Sequence, residues 1–348
     1  MDQRASYRAF ILVSLLGAGF VFLGTQSLDD YGRSIIEFVG INIILAVSLN
    51  ITNGLVGLFS LGHPAFMAIG GYTSAILLIP ANRKALLLPD LPHWLASQEW
   101  TFLPALIAGG GAAVLAALII GFPVLRLRGH YLAVATLGFI FIVQSLAVNL
   151  SGITRGALGL SGLPALTTLW WVYGWLLFTL VVCWRLKHSS LGRTMLAIRE
   201  NELAASCLGV KVTHTRIFAF ALGAFFAGVS GGLWAHLVTL ISPSSFTFLL
   251  AFQLVVMIVV GGSGSIIGTM LAAAILTIAT EMLRPVEESL DLFGASQILT
   301  ALCVLLVLIF RPRGLFGTAE PDLLRWSGLL FGRHWTRSGS KNRRKEVS

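Results

Sequence analysis

Residues 217–280 read IFAFALGAFFAGVSGGLWAHLVTLISPSSFTFLLAFQLVVMIVVGGSGSIIGTMLAAAILTIAT, 64 positions without one Asp, Glu, Lys or Arg. A helix rises about 1.5 Å per residue, so crossing a hydrocarbon layer of about 30 Å takes about 20 residues. This run therefore holds two or three membrane-crossing helices. Outward from it lie further uncharged runs at 9–28, 38–82, 100–125, 129–154, 156–184 and 292–310. The 45-residue run at 38–82 is long enough for two spans. Nine or ten spans result. Alternating ten-residue strands are absent, which excludes a membrane β-barrel.

The composition agrees. Of 348 residues, 56% are hydrophobic and 11% charged, and the mean hydropathy is +0.85. A soluble domain carries about 25% charged residues. These figures rule out a soluble enzyme, a disordered chain and a nucleic-acid-binding domain, despite the net charge of +9.

Orientation settles the parity, because Lys and Arg accumulate on the cytoplasmic side. With ten spans and both termini inside, 19 of the 24 cations lie on the cytoplasmic face. The outer segments then hold 9 of the 15 acids, including Asp29, Asp30, Glu287, Glu288 and Asp291. An odd count spoils that segregation. Arg4 and Arg8 before the apolar residues 9–24 imitate a signal peptide. No small-x-small cleavage site closes the run, so it reads as an uncleaved first span. The expected architecture is an all-α polytopic integral membrane protein of about ten transmembrane helices. Residues 1–34 form a tail, first span and short outer loop. Residues 35–316 form the transmembrane domain, with a cytoplasmic loop at 185–216. Residues 317–348 are a basic cytoplasmic tail.

No catalytic or metal-ligand set stands out. Cys183, Cys207 and Cys303 are isolated, the histidines are scattered, and no lysine follows a glycine as in a Walker A loop. A membrane-embedded enzyme has no placed nucleophile and base. Ion-coupled pumping needs intramembrane charges that are nearly missing here. If the chain transports a solute, a partner supplies the energy.

Three segments are informative. Ser60-Leu61-Gly62-His63-Pro64-Ala65-Phe66 sits inside an uncharged run. Gly62 and Pro64 should break a helix there, either as an ordinary turn or as a broken helix lining a path. His63 reads as a packed, hydrogen-bonded residue. Val259-Val260-Gly261-Gly262-Ser263-Gly264-Ser265 should interrupt a second helix, as a re-entrant segment or a tight turn. The third segment lies in the 185–216 loop, where Gly192 and Gly209 bracket good helix formers. Met195, Ile198, Cys207 and Leu208 alternate there with Arg199, Glu200 and Glu202, as in a short amphipathic helix. A charged, amphipathic loop suits docking to a soluble partner. The alternative is a helix lying on lipid.

Ala204-Ala205-x-x-x-Gly209 resembles the Glu-Ala-Ala-x-x-x-Gly signature of ABC importer permeases, with Leu203 in the place of Glu and Glu202 one residue earlier. The longer string from Ser190 through Gly192, Arg193, Arg199, Glu200 and Glu202 to Ala205 is similar to the LivM-type permeases of branched-chain amino acid importers. Further matching blocks are Asn53-Gly54-x-x-Gly57, Ser60–Phe66, Arg126-Leu127-Arg128-Gly129-x-Tyr131, Val260-Gly261-Gly262-x-Gly264-Ser265 and Arg311-Pro312-x-Gly314-Leu315. They run in family order from about residue 35 to 316. The resemblance implies a multi-pass subunit of the bacterial inner membrane, without cofactor or enzymatic activity of its own. Its implied partners are a homologous second permease, two ABC ATPases and a periplasmic binding protein. Implied substrates are leucine, isoleucine and valine, with urea, short amides or other amino acids as alternatives. The ATPases would dock on Gly192, Arg193, Arg199, Glu200, Glu202, Ala204, Ala205 and Gly209. The translocation path would involve Asn53, Gly54, Gly57, Ser60, Gly62, His63, Phe66, Gly261, Gly262 and Gly264. A stand-alone carrier or channel is the competing class. The basic tail would lie on anionic lipid headgroups, with no nucleic acid involved.

Overall fold

In this computed structural model, the structure describes residues 29–290 except 93–97, 99 and 128, together with 294, 297–298, 301–302, 305, 309–310, 314–315 and 317. The expected first span, much of the last and the tail beyond 317 lie outside the described residues. Among the described residues the fold is helical, with seven helices long and apolar enough to cross a membrane.

The chain enters as α1 (Asp30–Asn50), which continues into one π-helical turn, Ile51–Leu55. Asp30–Ser34 thus form the first turn of α1, although the sequence reading placed them in a loop. After a non-helical stretch comes α2 (His63–Leu78), then the short α3 (Ala81–Leu87). Two long helices follow, α4 (Phe102–Val124) and α5 (His130–Asn149). The run at 156–184 is not one span from its start. Gly156–Leu158 is a single 3-10 turn and Leu160–Ser161 is strand β1. The helix, α6, occupies Leu169–His188. Absence of charge marks what lipid tolerates and does not mark where a helix begins.

Beyond α6 lie α7 (Ser190–Glu200), α8 (Glu202–Cys207) and the long α9 (Val212–Val238). Strand β2 (Leu240–Ile241) pairs antiparallel with β1, Leu160 opposite Ile241. Then α10 (Phe248–Gly261) and α11 (Ile266–Leu290) complete the 64-residue run, which therefore holds three helices.

Two spans form the centre. In α1 with its π turn, 72% of the most apolar window is buried, and in α9 67%, against 33–44% for the other spans. Helix α9 packs most extensively on α2 and α4, and α1 on α11, α9 and α6. Small residues bring these helices close, because in lipid packing rather than the hydrophobic effect drives association. At Gly228 the three helices α2, α4 and α9 meet almost backbone to backbone: a Cβ there would stand 2.7 Å from Ala113 Cβ and 2.9 Å from the Gly109 carbonyl. Polar bridges fix register: Asn42 Nδ2 on α1 donates to Thr277 Oγ1 on α11, 3.1 Å.

Helix α2 has 16 residues and is about 24 Å long, short of a full crossing. Nearly all of it is buried. Lys84, wholly buried on α3, donates from Nζ to the Leu77 carbonyl in the last turn of α2, 3.3 Å, and to Gln98, 2.6 Å. A cation there suits the negative end of the helix dipole.

Candidate functional site

The broken segment is built from its polar residues upward. Pro64 occupies the first turn of α2, where its missing N–H costs nothing. Gly62 precedes it, and residues 56–62 are not helical. The Asn53 side chain closes this stretch, donating to the Ser60 carbonyl and accepting from the Ser60 N–H, both 3.1 Å. Leu61 N–H donates to Thr136 Oγ1 on α5, 3.0 Å. His63 Nε2 lies 3.1 Å from Ser48 Oγ on α1, while His63 Nδ1 is buried and has no partner among the described residues. Phe66 is wholly buried, its ring 5.3 Å from Phe139 and 5.2 Å from Phe220. The segment is thus a turn that leads into a helix break. It starts as a turn beside α7, with Gly57 against Arg199, and ends as a helix beginning inside the bundle.

The second break follows α10. Gly262 and Gly264 have φ of +107° and +95°, conformations open to glycine. Asn50 on α1 holds it: Nδ2 donates to the Ser265 carbonyl and to Thr269 Oγ1, and Oδ1 accepts from Gly264 N–H, each 2.9 Å. Leu315 N–H donates to the Val260 carbonyl, 2.8 Å, and Gly314 packs on Gly262. Arg311 and Pro312 of that block lie outside the described residues. Asn50 was missed by sequence reading, which chose Asn53. An uncharged Asn one helical turn before it was the available signal.

The 185–216 loop is two capped helices rather than one. Ser189 Oγ accepts from Gly192 N–H, 3.1 Å, and starts α7; Asn201 Oδ1 accepts from Ala204 N–H, 3.0 Å, and starts α8. Such caps satisfy the free N–H groups of a first turn. Gly192 therefore lies inside α7 rather than before it, buried against the Leu186 and Lys187 carbonyls. Gly209, at φ +84°, ends α8 as expected. Met195, Ile198 and Ala205 face the bundle; Arg193, Glu200 and Ala204 are exposed. Glu202 turns to Arg216 near the start of α9, two contacts of 2.8 and 3.1 Å. With Glu202 a third exposed, this pair contributes no more than about 1 kcal/mol. The outward side is apolar, with Leu203 71% and Leu208 85% exposed.

Arg199 joins the loop to both breaks. Its Nη1 donates to the Gly54 carbonyl, 2.6 Å, and to the Ser263 carbonyl, 3.3 Å, while Lys187 Nζ donates to the Gly264 carbonyl, 2.6 Å. The structure thus brings Gly54, Gly57, Gly264 and Arg199 together.

Residues 33–311 match the family model described as branched-chain amino acid transport system / permease component. The chain belongs to the branched-chain amino acid transport permease family. It is 34% identical over 326 residues to the high-affinity branched-chain amino acid transport system permease proteins LivM of Salmonella typhimurium and of Escherichia coli K12, covering 84% of this chain and 71% of each relative. It is 25% identical over 298 residues to LivH of Escherichia coli K12, covering 80% of this chain and 92% of that relative. No solved structure matches. As a permease of this family the chain is a multi-pass membrane protein and a transport subunit.

Proposed function

We propose that this permease is a subunit of an ATP-driven importer in the bacterial inner membrane. With a homologous second permease it forms a path for leucine, isoleucine and valine, fed by a periplasmic binding protein and driven by two ABC ATPases. Similarity to both LivM and LivH proteins supports the paired arrangement. Ten spans with both termini cytoplasmic remain the topology we infer: the non-helical stretch 56–62 and α2 together complete one crossing, and with the seven described spans they leave two uncharged runs, 9–28 and 292–310, to make up the count. The basic tail is read as lying on anionic headgroups.

The observation that carries the reading is the outward face of α8. Leu203 on α8 and Leu208 just past its end stand exposed at the end of the bundle that carries the loop cations, next to α7, whose Arg199 is bonded to both chain breaks. A groove on a soluble ATPase covers such leucines, and ATP-driven closure would move the loop. Asn53, Gly54, Gly57, Ser60, Gly62, His63, Phe66, Gly261, Gly262 and Gly264 border the path in this reading. The unpartnered His63 nitrogen supports that placement.

A stand-alone carrier using sodium would need free backbone carbonyls at a broken helix. Those of Gly54, Ser263 and Gly264 already face the built-in cations of Arg199 and Lys187. The test is uptake into liposomes. Leucine accumulation should require the ATPases and ATP, and accumulation by this chain without them would overturn the reading. Labelled urea as the competing solute decides the substrate. Leu203→Asp with Leu208→Asp should leave the chain in the membrane, since both side chains are exposed, and cut ATPase co-purification at least about tenfold.

A further inference from the structure

Three carbonyl oxygens and two cations meet where α7 touches the bundle. The π turn after α1 and the end of α10 both present the negative ends of helices at this point. The two breaks touch each other directly: a Cβ on Gly54 would stand 2.5 Å from Gly264 N, and one on Gly264 2.8 Å from Arg199 Nη1. Absence of side chains at both positions makes room for the guanidinium. Arg199 sits on the rigid helix α7, whose Met195 and Ile198 are buried in the bundle.

We propose that Arg199, assisted by Lys187, is the positioning residue that carries motion of α7 and α8 into the two chain breaks. This rests on the importer reading above. Charge-assisted hydrogen bonds are shorter and about twice as strong as neutral ones, so they keep hold of a backbone that moves. From the Gly54 carbonyl the connection runs through Asn53 to both backbone groups of Ser60. Leu61 N–H then ties the stretch to Thr136, and His63 begins α2. Pulling α7 displaces the start of a short buried helix, while the Lys187 contact keeps the 262–265 turn in step. Every joint ends on a backbone atom.

The test uses the full complex of both permeases, ATPases and binding protein in liposomes. Loss of one charge-assisted bond pair corresponds to about a tenfold effect, so Arg199→Gln should lower solute moved per ATP hydrolysed by about that factor. Arg199→Lys should restore most of it, and the ATPases should co-purify with both variants, because Arg199 points away from the exposed leucines. A Phe59→Cys reporter stands on the exposed part of the broken segment. Its maleimide labelling, read at that residue by mass spectrometry, should change on ATP addition and stop changing when Arg199→Gln is added. Native stoichiometry with ATP-dependent labelling in Arg199→Gln overturns the proposal. So does loss of ATPase co-purification in both Arg199 variants, which would make the residue a docking or folding element. If Arg199→Gln fails to accumulate, Lys187→Met decides: a smaller loss of the same kind supports the proposal, and native stoichiometry overturns it. ATP-independent uptake by the unaltered chain would defeat the importer reading itself, a separate result.

Discussion

A Gly228→Leu chain is expected not to accumulate as a folded protein, whereas Gly111→Leu accumulates at the native level. The two glycines are both in apolar helices and differ only in what a side chain would meet. At Gly228 it meets Ala113, the Gly109 carbonyl and Gly110 Cα at 2.7, 2.9 and 3.1 Å, and at Gly111 nothing within 4 Å. The obstacle is backbone on α4, which cannot rotate aside as a side chain would. Adding methylenes to a filled interior costs about 1–3 kcal/mol even when side chains can adjust. Four carbons against a main chain exceed that range, and the α2–α4–α9 contact must open. Fluorescence-detected gel filtration of tagged chains after detergent extraction measures the difference. A monodisperse Gly228→Leu peak of native height would mean that the three helices do not close on one another as described.

Asn50→Leu should fold less stably and transport at less than about a tenth of the native rate. The amide of Asn50 makes three hydrogen bonds across to α11 and the turn before it. Leucine is close in volume, so packing alone predicts little change. What is lost is the acceptor of Gly264 N–H, and a buried donor left unsatisfied costs about 1–3 kcal/mol. That turn also receives Arg199 and Lys187, so under the proposal above its geometry matters to coupling as well as to folding. Asn42→Leu is the comparison. Asn42 makes one half-buried bond to Thr277, and its loss should cost about 1 kcal/mol or less. Thermal melting of the purified chain and leucine uptake check both. Equal melting shifts for the two substitutions would remove Asn50 from the centre of the network.

The membrane helices were legible because lipid excludes charge and demands satisfied backbones, so an uncharged run and a helix nearly coincide. They part where the chain need not cross lipid: residues 156–168 carry one charge-free stretch, yet form a turn, β1 and an irregular lead into α6. Gly62-His63-Pro64 marked the start of α2, since proline and glycine act locally. The π turn at Ile51–Leu55 had no such marker. In the site, the glycines at 54, 57, 261, 262 and 264 were visible as residues that tolerate unusual backbone, which is a property of each residue alone. Their cations were not visible, because Arg199 reaches Gly54 across 145 positions of sequence. Glu202 shows the same limit. It sits one residue from the family's acidic position, and only the fold reveals that its carboxylate is engaged by Arg216.

The enclosure of α2 has a consequence for the surrounding bilayer. A helix this short facing acyl chains would feel every change of membrane thickness, through tilt or local thinning. Here α9, α4, α5 and α10 surround it, and the outward-facing leucines, isoleucines and phenylalanines of α4 and α5 meet the lipid instead. In the coupling proposed above, the part that moves is therefore insulated from the solvent in which the protein floats. Cells that lengthen or desaturate their lipids with temperature would alter the rim of this permease and leave the stroke of its buried helix unchanged.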